Sequence, residues 1–316
     1  LQAVKIVITE FMDESAVARL GTHFGTPAIH YEPDLVDQPE RLAALAADAD
    51  ALIVRNRTQV RGALLAAARG LRVVGRLGVG LDNIDVAECE RRGIRVIPAT
   101  GANALAVAEY VITAVLMLRR ASFQASREVA QGAWPRNRLS AGHEIAGATL
   151  GLVGFGSIGQ LTGRLARALG MRVIAHDPGL PADHPAWREG AARVELDRLL
   201  AEADAVSLHV PLIDATRNLF DEARLSAMKP GAVLVNTARG GIVDERALAD
   251  ALRRGHLGGA ALDVFATEPL PAATHFVDCP NLILTPHIAG VSAEANVRVS
   301  SMIAEAVIDA LGGPTR

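Results

Sequence analysis

The sequence predicts an α/β protein built on parallel sheets, and three observations predict it. Short apolar runs alternate with helical stretches along all 316 residues. Half of the residues are hydrophobic but only 3% are aromatic, and Ala, Val and Leu dominate. That composition suits helices layered on parallel strands. Finally, residues 153–177 (VGFGSIGQLTGRLARALGMRVIAHD) read as a strand end, a Gly-x-Gly-x-x-Gly turn, a helix, a second strand and an acidic residue at its tip.

Taken in order, strands are predicted near Lys5–Thr9, Ala28–Tyr31, Ala51–Val54, Arg72–Val74 and Arg95–Ile97. Helical stretches such as Glu14–His23 and Arg41–Ala47 separate them, which makes one small parallel-sheet domain. A long apolar helix is expected from Ala104 to Arg120. Beyond Trp134 come strands at Ala148–Val153 and Met171–Ala175, then Ala205–Val210, Ala232–Asn236, Gly259–Asp263 and Leu282–Leu284. A second long helix, Ser292–Leu311, is expected to return and pack on the first domain. Residues 1–98 with 291–316 are thus assigned to one domain and 99–290 to another. The ligand site is expected in the crevice between them.

The glycine turn has a mechanical logic. Gly154 permits the tight turn, Gly156 lets backbone approach a pyrophosphate, and Gly159 lets the helix pack close to the strand. Ile158, Leu161, Leu165 and Leu169 follow at helical spacing, and Gly170 ends the helix. The helix N-terminus offers N–H groups and a positive dipole end to phosphates. Asp177 can accept hydrogen bonds from both ribose hydroxyls and would repel a 2′-phosphate. No Arg or Lys stands beside it, so NAD is expected rather than NADP.

Bulk properties exclude other classes. A net charge of −3 gives no electrostatic basis for binding nucleic acid. Cys89 and Cys279 form neither a metal motif nor a disulfide framework, so no metal is expected and a reducing compartment is. No apolar run approaches a membrane span and no signal peptide opens the chain, so the expected location is the cytoplasm.

Reducing a carbonyl with a nicotinamide requires a cation for the substrate, a proton donor for the developing alkoxide, and a group that tunes the donor. Arg239 follows the strand in VLVNTARGG, where a guanidinium can grip a carboxylate with two parallel hydrogen bonds. His287 follows another strand in LTPHIAG, and Glu268 lies in the loop DVFATEP. A carboxylate beside His287 would fix its tautomer and stabilise the imidazolium formed in turnover.

At this point the chain resembles the D-isomer-specific 2-hydroxyacid dehydrogenases, a family that includes phosphoglycerate dehydrogenases. The resemblance spans essentially the whole sequence. It rests on GRLGVGLDNID (75–85), TGANALAVAEY (100–110), GAWPR (132–136), GATLGLVGFGSIG (147–159), HDP (176–178), HVPLIDAT (209–216), NTARGGIVDE (236–245), LDVFATEP (262–269) and TPHIAG (285–290). It implies two doubly wound domains, a Rossmann NAD-binding domain inserted in a flavodoxin-like substrate domain. It also implies Arg239, Glu268 and His287 as the catalytic set. Ser157 and Ile158 would lie at the phosphates and Asp177 at the ribose. Thr216, Thr237 and Asp263 would lie around the rest of the dinucleotide, and the backbone at Val79 and Gly80 would hold the substrate carboxylate. Family members are commonly homodimers.

For the substrate, VRNRT (54–58) matches the position where phosphoglycerate dehydrogenases place an Arg near the substrate phosphate. Arg55 and Arg57 are therefore candidates for a second anion at carbon 3, as in 3-phosphoglycerate or (S)-3-sulfolactate. The runs ITEFMDE and VRNRTQV are also similar to (S)-sulfolactate dehydrogenases. Sulfur raises the priority of the CH2 substituent, so this S compound has the spatial arrangement of a D-hydroxy acid. Two alternatives stand beside this expectation. If the arginines point away, a glyoxylate or hydroxypyruvate reductase is expected. In a different class, the same fold serves as a non-enzymatic NAD-sensing scaffold.

Overall fold

The computed structural model describes residues 4–312; residues 1–3 and 313–316, which the sequence assigns to the first domain, lie outside the described residues. The chain divides into two compact units, Leu1–Asn103 with Val291–Arg316, and Ala104–Gly290.

The first unit runs β1 (Ile6–Ile8), α1 (Glu14–Phe24), β2 (Ile29–Tyr31), α2 (Pro39–Ala46), β3 (Ala51–Val54), α3 (Gly62–Ala67), β4 (Val73–Arg76), α4 (Val86–Arg91) and β5 (Arg95–Pro98). Its strands form one parallel sheet in the order β2-β1-β3-β4-β5. Every residue of β1 and β3 is buried, because helices cover both faces and an alternating pattern would leave polar groups in the core. The order reverses between β1 and β3, so the connections leave in opposite directions and open a crevice beyond the carboxyl ends of those strands.

The second unit begins with α5 (Ala104–Arg120), α6 (Ser126–Ala130) and α7 (Arg136–Leu139). The dinucleotide segment follows as β6 (Thr149–Val153), α8 (Ser157–Ala168) and β7 (Arg172–His176). Next come β8 (Ala192–Arg193), α9 (Leu196–Glu202), β9 (Ala205–Leu208), α10 (Glu222–Ala227), β10 (Val233–Asn236), α11 (Glu245–Arg253), β11 (Gly259–Leu262) and β12 (Leu282–Leu284). The seven strands are parallel in the order β12-β11-β10-β9-β6-β7-β8, with the reversal between β6 and β9. The expectation of two doubly wound parallel sheets holds. The two-residue strand β8 was not expected from the sequence; two residues are too few to show a period.

One packing detail differs from the expected pattern. In α8 the buried stripe is Gly159, Thr162, Gly163 and Ala166, while the leucine row ends at Leu169, which is 44% exposed. Small residues let the helix lie against β6 and β7, with the larger side chains flanking that contact. The chain then returns to the first unit as α12 (Ala293–Gly312). Its Val299, Ile303, Val307 and Leu311 join Ile6, Ile8, Leu20 and Ile53 in one apolar cluster, so the last helix belongs to the core of the first sheet.

Candidate active site

The dinucleotide turn lies at the reversal point of the second sheet. Gly154 has φ +94, and a Cβ there would lie 2.6 Å from the carbonyl oxygen of His209 on the neighbouring strand connection. A Cβ on Gly159 would lie 2.5 Å from the carbonyl oxygen of Gly154. A Cβ on Gly156, by contrast, would meet nothing within 4 Å, so this glycine keeps open the space where a pyrophosphate must approach. Among the described residues no side chain caps the N-terminus of α8, so the N–H groups of its first turn, which begins at Ser157 and Ile158, stay open to an anion. The cradle fits a dinucleotide.

Asp177 follows β7 directly. Its carboxylate accepts the amide of Phe155 at 2.7 Å and that of Gly179 at 3.0 Å, which fixes it against the glycine turn. Lone pairs remain for ribose hydroxyls. The hydroxyl of Thr237, at the end of β10, is buried and finds no partner among the described residues. Such an atom costs stability unless a ligand satisfies it, which again fits a bound cofactor. Thr216 is placed differently: its hydroxyl donates to the carbonyl of Pro211 at 2.6 Å and accepts the amide of Ile213 at 2.9 Å, so it organises its own loop. His209, half-buried beside the turn, has its pKa lowered to about 4 by desolvation and is neutral near pH 7.

Three neighbouring strands, β10, β11 and β12, deliver the catalytic candidates at their carboxyl ends. Arg239 stands in the loop after β10. The buried Asn236 braces that loop, accepting the amide of Ala238 at 3.0 Å and donating to the carbonyl of Arg239 at 3.0 Å. Glu268 stands in the loop after β11 and His287 in that after β12. Nδ1 of His287 lies 2.8 Å from Oε2 of Glu268, while Oε1 of Glu268 accepts the amide of Phe265 at 3.0 Å. A carboxylate only accepts here, so Nδ1 carries the proton and Nε2 is the atom turned to chemistry. The two side chains are 35% and 34% exposed, open enough for a small substrate.

Further contacts hold this geometry, and the motifs alone did not single them out. His287 has φ +56, the left-handed region, and its amide donates to the carbonyl of Asp263 at 2.8 Å. The buried Asp263 carboxylate accepts Thr285 Oγ1 at 2.6 Å and the amides of Ile288 and Ala289, each at 2.8 Å. Since Thr285 donates to Asp263, the hydroxyl of Tyr110, 2.6 Å away, must donate to Thr285. Glu245 accepts the amide of Ala266 at 2.6 Å, two residues before Glu268, and lies 3.6 Å from His275. Gly240 closes the set. A Cβ there would lie 1.8 Å from the carbonyl oxygen of Phe265, so the loops carrying Arg239 and Glu268 meet backbone to backbone.

In the first unit the N–H groups of Val79 and Gly80, after β4, bond to no protein atom among the described residues. The loop after β3 is clamped by the buried Glu10. Its carboxylate accepts the amides of Arg55 at 2.9 Å, Arg57 at 3.2 Å and Thr58 at 3.0 Å. Asn83 donates to the carbonyls of Arg55 and Thr58 at 2.8 and 2.7 Å. The two arginines differ: Arg57 is exposed and ion-paired with Asp37, whereas the Arg55 guanidinium is turned to Asn296 and Phe11. Among the described residues no cluster of side chains could hold a metal ion, and no helix is long and apolar enough to cross a membrane.

A dinucleotide cradle with a His–Glu pair and an arginine on adjacent strand ends defines a nicotinamide-dependent oxidoreductase. The chain belongs to the D-isomer specific 2-hydroxyacid dehydrogenases, whose NAD-binding-domain model matches residues 112–289. It is 54% identical over 307 residues to (S)-sulfolactate dehydrogenase of Chromohalobacter salexigens, covering 97% of this chain and 98% of that protein. It is 42% identical to D-3-phosphoglycerate dehydrogenase of Mycobacterium leprae over 98% of this chain, which spans only 57% of that longer protein. Its fold is similar to that of the NAD-dependent formate dehydrogenase from Staphylococcus aureus in complex with NAD. The TM-score there is 0.84 at 30% identity, over 99% of this chain and 97% of that one. The protein is accordingly an NAD-dependent dehydrogenase that transfers a hydride between the cofactor and the CH–OH carbon of a small 2-hydroxy acid.

Proposed function

We propose that the protein interconverts (S)-3-sulfolactate and 3-sulfopyruvate with NAD. The observation that carries this reading is Arg55, a guanidinium held at the reversal point of the first sheet, where a second anion on the substrate would need a cation. The 54% identity to a (S)-sulfolactate dehydrogenase over nearly the whole chain supports it. Arg239 grips the substrate carboxylate, and in the first unit the amides of Val79 and Gly80 remain open to an anion. Bound NAD supplies the hydride acceptor for the hydrogen on carbon 2. As that hydride leaves, Nε2 of His287 takes the hydroxyl proton, and Glu268 stabilises the imidazolium that forms. The reverse reaction returns the proton to the alkoxide oxygen. Ser157, Ile158, Asp177, Thr237 and Asp263 hold or border the dinucleotide, and Gly154, Gly156 and Gly159 shape its cradle.

The reading extends to assembly and location. Phe123, Val129 and Trp134, 58%, 43% and 79% exposed, lie in one segment of the second unit. Side chains of this kind are costly to leave in water, and a second copy of the chain is the occupant we assign. The free cysteines fit a reducing compartment, and we place the enzyme in the cytoplasm. Initial rates with NAD and NADP on (S)- and (R)-3-sulfolactate, 3-phosphoglycerate, D-glycerate and D-lactate test the function. Preference for (S)-3-sulfolactate with NAD is expected. Equal rates on D-glycerate would replace this reading with a broad hydroxypyruvate or glyoxylate reductase, and no turnover would replace it with an NAD-binding scaffold.

A further inference from the structure

The reversal point between β1 and β3 carries one cation fixed from three directions. Nη2 of Arg55 donates to Oδ1 of Asn296 at 3.0 Å, and Nη1 donates to the carbonyl of Phe11 at 3.4 Å. The guanidinium lies over the Phe11 ring, 5.7 Å from its centroid. Phe11 follows β1, Arg55 follows β3, and Asn296 lies in the first turn of α12, 241 residues from its partner. Burial disfavours the charge on Arg55, yet an arginine stays protonated in a protein. No carboxylate pairs with that guanidinium among the described residues; the nearby Glu10 spends both its oxygens on backbone amides and Thr58. A half-buried cation held by neutral partners is costly by itself and becomes favourable when an anion arrives.

The charge count then narrows the anion. Arg57, the other cation of the loop, is neutralised by Asp37. Of the two arginines of this loop, Arg55 is therefore the one left without a carboxylate partner among the described residues. A sulfonate carries a single negative charge at every accessible pH, whereas a phosphate monoester carries about 1.5 to 2 near neutrality. Asn296 contributes twice. Because arginine only donates, the amide oxygen must face Arg55, and the NH2 group is left beside the guanidinium as a neutral donor. We infer that Asn296 is a specificity-determining residue, orienting Arg55 and adding its own NH2 so that the two bind a singly charged, three-oxygen sulfonate in preference to a phosphate monoester. This rests on the reading of the enzyme as acting on a hydroxy acid with an anion at carbon 3.

The test is Asn296→Asp, which keeps the acceptor for Arg55 but replaces the donor with a negative charge. KM for (S)-3-sulfolactate is expected to rise about tenfold or more, with kcat and with kcat/KM for D-glycerate each within about twofold of wild type. Asp37→Asn, which releases Arg57, is expected to raise kcat/KM for 3-phosphoglycerate several-fold, on the order of what one added rim charge does. Melting temperatures of both variants report whether the fold survives. Equal losses on sulfolactate and D-glycerate in Asn296→Asp would make Asn296 merely structural and overturn the inference. So would an unchanged sulfolactate KM, while a wild-type preference for sulfolactate kept the proposed function standing. A wild-type preference for 3-phosphoglycerate, or no gain on it in Asp37→Asn, would overturn the charge argument. If wild type shows no preference for any anionic substrate, the proposed function fails and the inference fails with it.

Discussion

The two sheets solve one geometric problem in two ways. Each is parallel, each reverses its strand order once, and each places polar side chains beyond the carboxyl ends of the strands at that region. In the second unit the geometry is held largely by backbone. Gly154, Gly159 and Gly240 touch main-chain carbonyls, and Asp263 and Glu245 bind amides of the loops that bear His287 and Glu268. In the first unit Glu10 clamps the loop's amides in the same way, but the Arg55 guanidinium itself is set by the Asn296 side chain and by the ring and carbonyl of Phe11. Backbone interlocks tolerate almost no substitution and suit chemistry common to a family. Side-chain supports can be exchanged one at a time and suit a choice among substrates. The difference supports the proposed division of labour, with reaction in the second unit and selection in the first.

The comparison can be broken by substitution, starting with the largest effect. His287→Ala removes the proton-transfer group, and kcat is expected to fall about a thousandfold on every substrate, as loss of a general acid–base does. NAD binding, read by fluorescence titration, should persist. A loss confined to sulfolactate would contradict the division of labour. Gly240→Ala comes next. Its Cβ would meet the Phe265 carbonyl at 1.8 Å, so one loop must move, and a displacement near 1 Å costs about a hundredfold in rate. All substrates should again suffer alike.

These interlocks also mark the limit of what the sequence discloses. The strands and long helices were legible because their apolar periods are local; α5 begins and ends at the expected residues, Ala104 and Arg120. The placement of Arg239, Glu268 and His287 after strand ends was legible because each sits in a recognisable motif, and the expected His–Glu contact is made at 2.8 Å. Asn296 and Tyr110 were not, since their partners lie 241 and 175 residues away and no local pattern encodes such a contact. The two arginines of VRNRT look alike in sequence; only the fold brings Asp37 to one and Asn296 to the other.

The smallest effect concerns stability and pH. His209 has a folded pKa of about 4 against an ordinary 6.5, so the folded state binds fewer protons than the unfolded chain between those values. Its neutral form is fully compatible with the fold above pH 6.5, and stability is lost as pH falls from 6.5 toward 4, by up to about 3 kcal/mol. Urea unfolding of His209→Gln should show a shallower decline over that window. A decline identical to wild type would exclude His209 as its source.

The division between selection and reaction is tested most directly by Arg55→Ala, assayed on (S)-3-sulfolactate and D-glycerate side by side. The expected result is a KM for sulfolactate raised about a hundredfold, the loss of one charge-assisted contact, with kcat near wild type and D-glycerate turnover unchanged. A fall in kcat of similar size on both substrates would contradict it, placing Arg55 in the reaction itself and erasing the distinction between the two units.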